Sequence, residues 1–270
     1  MSAPARTSLR SLITPALTAQ DLAELTSTTA HVHSALTDWP KLGRQEGLAL
    51  VAAETTAPED IEVVEDFGDD SHEGLVIHGS IQGEPTAQIL FATFDEHGRI
   101  AELKSYFKYM YPFTLIREQV RAGLPDMPAD AWTVRTLPAD TGDYHESPKS
   151  VPYAPDLEFH SPVMRKPFTQ PLVLQVLSHA SSVYGVRKWS DLRLGTAERH
   201  LAWFDADISG QTIEMAALMT MEGGIAKEMN AFCRPWTAAL AMYSRMTDRL
   251  PGQLADYRWG DEQPGYDSYR

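Results

Sequence analysis

At 270 residues the chain is long for one compact core and ordinary for two domains. Its composition, 43% hydrophobic and 22% charged, is that of a globular protein. A formal net charge of −14 repels phosphate backbones and anionic lipid surfaces, which argues against nucleic-acid and membrane partners. The single cysteine, Cys233, excludes an intramolecular disulfide; it fits a reducing, cytoplasmic setting and is expected to pack as a small hydrophobe.

Residues 1–17 read as a loose leader, because Leu12-Ile13 before Pro15 is too short an apolar run for a secretory signal. Thr18-Ala19-Gln20-Asp21 predicts a capped helix through Leu25, and 31–36 a strand. Leu48, Val51 and Ala52 stand at helical spacing within 43–53. The acidic run from Glu59 to Glu73 reads as a solvated loop and hairpin region. Strands follow over 74–81, 86–94 and 100–109, separated by Gln82-Gly83-Glu84-Pro85 and Asp95-Glu96-His97-Gly98 turns, and a helix over 113–122 stops at Gly123. Six prolines between Pro125 and Pro155 mark 124–154 as a linker, with Trp132, Tyr144 and Tyr153 as aromatic anchors.

Beyond the linker comes a strand over 157–163. An amphipathic helix follows over 170–183, with Leu172, Val173, Leu174 and Leu177 facing a core. A hairpin over 200–221 turns at Ser209-Gly210-Gln211. A long strand occupies 225–234, and a helix runs over 235–249. The tail 251–270 has no period and reads as loose. Strand runs segregated from helices indicate an α+β fold.

The chain also repeats itself. Val32-His33-Ser34-Ala35-Leu36 with Pro40 returns as Phe159-His160-Ser161-Pro162-Val163 with Pro167, an offset of 127. Phe94 to Glu102 returns more loosely as Met219 to Lys227, an offset of 125 when Ile100 is matched to Ile225. Two landmarks at nearly one offset predict a duplicated domain, over 18–123 and 155–250.

The strand Asp156–Val163, the helix from Gln170 and the strand Gly224–Pro235 together resemble the nuclear transport factor 2-like superfamily, and within it SnoaL-like polyketide cyclases and ketosteroid isomerases. Phe94-Asp95-Glu96-His97-Gly98-Arg99-Ile100 is similar to that superfamily's last hairpin. The resemblance spans most of 18–120 and 155–248. It implies two cone-shaped α+β barrels, each a curved antiparallel sheet wrapping helices, joined as a pseudo-dimer within one chain and therefore monomeric. The isomerases' general base, an Asp before the proline of the first strand, is replaced here by Ser34 and Ser161. Their second acid, ten residues before the last-strand Ile, is replaced by Leu90 and Met215. The simple proton shuttle of that family is thus absent from both copies.

If Phe232 faces the second cone, strand alternation brings Asn230 and Glu228 in with it; the matching first-copy residues are Leu103, Ser105 and Phe107. The first cone then reads as greasy, the second as carrying an acid and an amide. Burial would raise the pKa of Glu228 into a useful range for acid–base work. A one-residue slip in the irregular Met221–Gly224 turn would bring in Glu214 in place of Met215. The expected site is therefore Glu228 and Glu214 as catalytic acids, with Asn230, Ser161, Phe232, Met215 and Phe159 holding substrate. The alternatives for Glu228 are a place on the convex side or a pairing with an arginine across the domain interface. By the same alternation His33 and His160 point away from the cones. His31 and His33 share a strand face without an evident third ligand, so no metal is expected, and the absence of phosphate-loop and dinucleotide motifs argues against a cofactor. The function expected is a cofactor-independent enzyme that isomerises, cyclises or opens an epoxide in a hydrophobic polyketide-, terpenoid- or steroid-like substrate. The alternative is a binding or interaction module that has lost the family acids.

Overall fold

Thr18 starts the first helix by a reciprocal cap: its hydroxyl accepts from the Asp21 N–H while the Asp21 carboxylate accepts from the Thr18 N–H at 2.8 Å. The computed structural model describes residues 8–39, 41–133, 152–184, 187–208, 210–249, 252 and 255–257. Residues 134–151 of the expected linker over 124–154, with Tyr144, and all of the tail beyond 257 lie outside the described residues. The elements are α1 (Ala19–Leu25), β1 (Thr26–His33), α2 (Arg44–Thr56), β2 (Glu59–Gly68), β3 (His72–Ile81), β4 (Glu84–Phe94), β5 (Ile100–Lys108), α3 (Met110–Gly123), β6 (Tyr153–His160), α4 (Leu172–Val183), β7 (Arg187–Gly195), β8 (Arg199–Ile208), β9 (Gln211–Glu222), β10 (Ile225–Arg234) and α5 (Trp236–Arg249). This is an α+β chain. No described helix is long and apolar enough to cross a membrane.

The chain divides into two units, Met1–Phe107 with Pro112–Thr133, and Lys108–Tyr111 with Val134–Arg270. In the first, β2, β3, β4 and β5 lie side by side in that order and β1 pairs with β5 in parallel. In the second, β7, β8, β9 and β10 lie side by side and β6 pairs with β10 in parallel. Each unit thus runs strand, helix, four-strand meander and helix, with the first strand returning beside the last.

Several elements differ from expectation. The acidic run, expected as a loop and hairpin region, is the hairpin of β2 and β3, and its loop part is strand β2, along which Ile61, Val63, Glu65 and Phe67 are half-buried and the intervening residues exposed. The charges that argued for a loop sit on a strand with a partner on one side only, where charge suppresses unwanted pairing. On α4, Val173 and Val176 carry the burial, and Leu174 is half exposed.

The core of the first unit joins Leu48 and Val51 of α2 to Leu75 and Ile77 of β3, Leu90 of β4 and Leu103 of β5. The segment before α1 closes on it. Leu9 is fully buried in this cluster, in a single turn at Leu9–Leu12. The buried Glu73 carboxyl holds the turn, accepting from the Ser8 hydroxyl at 2.5 Å, from the Leu9 N–H at 3.1 Å and from the Arg10 N–H at 3.2 Å. Charge-assisted bonds are the stronger kind, and one short turn has little stability of its own. Glu73→Gln should therefore loosen this segment and speed tryptic cleavage at the exposed Arg10, with the rest of the melting curve retained. Cleavage at the native rate would show that Leu9 alone anchors the turn.

Candidate active site

A fully buried carboxyl on the helix side of the first unit is Glu54. On α2, Leu50, Val51, Glu54 and Thr55 form one buried stripe at helical spacing, and Glu54 is 1% exposed. The Ser34 hydroxyl, just past β1, donates to one Glu54 oxygen at 2.8 Å, and the Ser105 hydroxyl on β5 donates to the other. Each hydroxyl also accepts a backbone N–H: Leu36 onto Ser34 at 3.0 Å, and Ala35 onto Ser105 at 2.8 Å. The proton and one lone pair of each serine are thereby directed, so the carboxyl is held in one orientation. Beside Glu54 lies a nook of about 10 Å³, roughly the room of one water. Ile61, Ile77, Phe113 and Ile116 give it apolar walls, and its other polar lining residues are Thr55 of α2, His78 of β3, and Thr86 and Gln88 of β4.

The expectation that the first cone is purely greasy is thus corrected. Leu103, Ser105 and Phe107 do face the helices, since Ser105 bonds Glu54, Leu103 joins the α2 cluster and Phe107 stacks on Phe113 of α3 at 4.1 Å. The acid they surround comes from α2. The sequence carried a signal for it: Glu54 stands three residues after Val51 and four after Leu50, on the apolar stripe.

In the second unit the expected site turns over. Cys233 lies beside the buried Tyr184, whose hydroxyl donates to Met242 Sδ of α5 at 2.8 Å. Burial pushes the phenol up, and burial also pushes the Cys233 thiol well above its ordinary value, which leaves it inert. The odd-numbered residues of β10, Met229, Ala231 and Cys233, therefore face the helices, together with their β9 partners Met219, Ala217 and Met215. Phe159, opposite Met229, shares this face, as does Ser161 by alternation. Of the expected substrate-holding residues, Met215, Phe159 and Ser161 lie on this side. Glu228, Asn230, Phe232 and Glu214 lie on the other.

The reason is a register error of one residue. Tyr153 pairs with Ala226 as Thr26 pairs with Ile100, and Phe159 pairs with Met229 as Val32 pairs with Leu103. Ala226 follows Ile100 by 126 residues, so the true counterpart of the buried Ile100 is the buried Ala226, not Ile225, which is 40% exposed. The two hairpins differ in length: five residues separate β4 from β5, but Gly223-Gly224 alone, both at positive φ, join β9 to β10. A shift of one residue exchanges the two faces of a strand.

On the outer face of the second unit the polar residues form a network. Glu228 accepts from Asn230 Nδ2 at 2.7 Å, from Thr220 Oγ1 at 3.2 Å and from Arg199 at 3.4 Å. Lys108 Nζ donates to Asn230 Oδ1, and His160 bonds Glu158 at 2.6 Å. Arg234 bonds Glu214. Desolvation works to raise the Glu228 carboxyl, but Asn230, Arg199 and Thr220 together hold it below the ordinary range, opposite to the expected elevation. Glu228 thus takes the convex-side alternative, and its arginine, Arg199, belongs to the same unit and not to the other side of a domain interface. His33 and His160 both lie on the outer face, His33 at 3.6 Å from Glu102. Burial lowers the Lys108 ammonium to about 8, with Glu228 and Glu158 opposing. Among the described residues no three His, Cys, Asp or Glu side chains are grouped so as to hold a metal ion.

No protein-family model matches this chain, and no curated protein does. Among solved structures, a steroid delta-isomerase from Pseudomonas aeruginosa is similar at 22% identity over 38% of this chain and 77% of that one, with a TM-score of 0.34. An uncharacterised bacterial protein with a cystatin-like fold, from Silicibacter pomeroyi DSS-3, is similar at 22% identity over 39% of this chain and 77% of that one, with a TM-score of 0.36.

Proposed function

We propose that the chain is a tandem pair of nuclear transport factor 2-like cups acting as a cofactor-independent acid–base enzyme, with Glu54 of the first unit as the proton-transferring group. The observation that carries this reading is a fully buried carboxyl in an apolar cup, fixed by Ser34 and Ser105. Such a group needs no metal or coenzyme to move a proton at a carbon or oxygen held against it. The chemistry that suits it is isomerisation, ring closure or epoxide opening in a small hydrophobic molecule, polyketide-, terpenoid- or steroid-like. The repeated element order supports the tandem reading, which carries with it a monomer in sedimentation. The lone buried thiol suits a cytoplasmic setting.

The test is a substrate screen over those three classes followed by Glu54→Gln, which keeps the shape and removes the proton exchange. Turnover should fall about a hundredfold with the fold intact. Glu228→Gln should leave it unchanged; loss of turnover there and not at Glu54 would move the chemistry to the second unit. A second reading, a binding module without catalysis, is favoured by one observation: both Glu54 oxygens already accept serine protons. In that case ligands would bind native and Glu54→Gln chains alike, with no turnover in either.

A further inference from the structure

Gln88 brings to the Glu54 nook a buried donor that the described residues leave unserved. It pairs in register with Ile77, so its side chain lies on the face of β4 shared with Leu90 and turned to the α2 cluster. It is 6% exposed, and its Nε2 has no hydrogen-bond partner among the described residues. A buried amide donor left without an acceptor costs free energy that an apolar residue of the same shape would not, so its presence calls for a use. Glu54 does not serve it, although both line the same nook.

We infer that Gln88 is the ligand anchor of this site and that the ligand is a neutral molecule presenting one oxygen acceptor, a carbonyl before all, on an apolar body. Three features select that chemistry. The donor is an N–H, so the ligand atom accepts. The nook is about 10 Å³, which admits a single oxygen and excludes a phosphate head. The neighbouring Glu54 carboxyl disfavours an anion, while Ile61, Ile77 and Phe113 favour a hydrocarbon next to the oxygen. The narrowness is built in at Gly79, where an added Cβ would stand 2.9 Å from the Glu59 carbonyl oxygen and 2.9 Å from Pro58 Cβ, so strand and turn close on each other there. The inference rests on the same pocket as the Glu54 reading but not on its chemistry.

The test uses the full chain, with 2-butanone as the neutral acceptor and butanoate as its anionic counterpart, followed by NMR titration and thermal melting. 2-Butanone should give saturable shifts confined to the residues around Gln88, and butanoate none. Gln88→Leu, or the unbranched Gln88→Met if the first fails to fold, should weaken 2-butanone binding about tenfold. It should also raise the melting temperature of the free protein by about 3 °C, because an unpaired buried amide has been removed. No saturable binding to the native chain, undiminished binding in both variants, or a lowered melting temperature in both would overturn the inference. Glu54→Gln separates the two readings. If it abolishes turnover but 2-butanone binding ignores Gln88, only the anchor fails. If turnover ignores Glu54 while binding depends on Gln88, only the acid–base reading fails.

Discussion

Glu54→Ala should destabilise the chain by about 4 kcal/mol, the largest loss expected from any single polar truncation in the first unit. The side chain is fully buried and receives two hydroxyl protons. Its removal strands the Ser34 and Ser105 donors in an apolar setting, at about 1–3 kcal/mol for each group left unpaired, and opens a void where the carboxyl stood. Glu54→Gln keeps an acceptor for one serine and fills the space, so its loss should be nearer 1 kcal/mol. The triple change to Ala at 34, 54 and 105 should cost less than the three single losses summed, because the members act as one network. Urea unfolding of the set measures the coupling. Additive losses would mean that the three groups do not share their bonds and that Glu54 is not held as described.

The second large effect has the opposite sign. Lys108→Met should stabilise the chain by about 2 kcal/mol at pH 7. Burial lowers the Lys108 pKa from 10.5 to about 8, against the attraction of Glu228 and Glu158. A fall of that size corresponds to about 3 kcal/mol favouring the neutral amine in the fold. The folded pKa is depressed, so the native chain gains this stability only as pH rises from about 8 towards 10.5, and lacks it at and below neutral pH. Methionine removes the charge at every pH, while leaving Asn230 without its donor costs about 1 kcal/mol. The urea midpoint of the variant should exceed the native one by about 1 M at pH 7, with the gap closing by pH 10. A variant less stable at pH 7 would show that the carboxylates stabilise the ammonium by more than burial costs it.

The parts of the fold that are set locally were legible in the sequence. The Thr18–Asp21 cap, the Asp95 turn and the Gln82-Gly83 turn each depend on a few adjacent residues and fell where their chemistry places them. Properties that arise only from pairing were not. The acidic strand β2 carries its charges, Glu65 apart, on the exposed alternation, so composition hid a strand in what reads as a loop and hairpin region. Strand β7, with Arg187, Lys188 and Arg193 on an equally exposed segment, was missed for the same reason. The faces of β10 depended on how many residues its hairpin holds, and matching Ile225 to Ile100 placed every later side chain on the wrong side. Glu54 was readable from spacing, but an acid on an apolar stripe becomes a site only when Ser34 and Ser105, 20 residues before it and 51 after, arrive beside it.

The brevity of the Gly223-Gly224 connection has a further consequence. The five residues between β4 and β5 form slack that can absorb a codon gained or lost. The glycine pair has none, and a one-residue change in its length is passed into β10 as an exchange of Met229 and Cys233 with Glu228 and Asn230. Substitutions in that hairpin should therefore be tolerated far better than insertions or deletions, and a library of length variants there should return almost no foldable members while the same library at Asp95–Arg99 returns many.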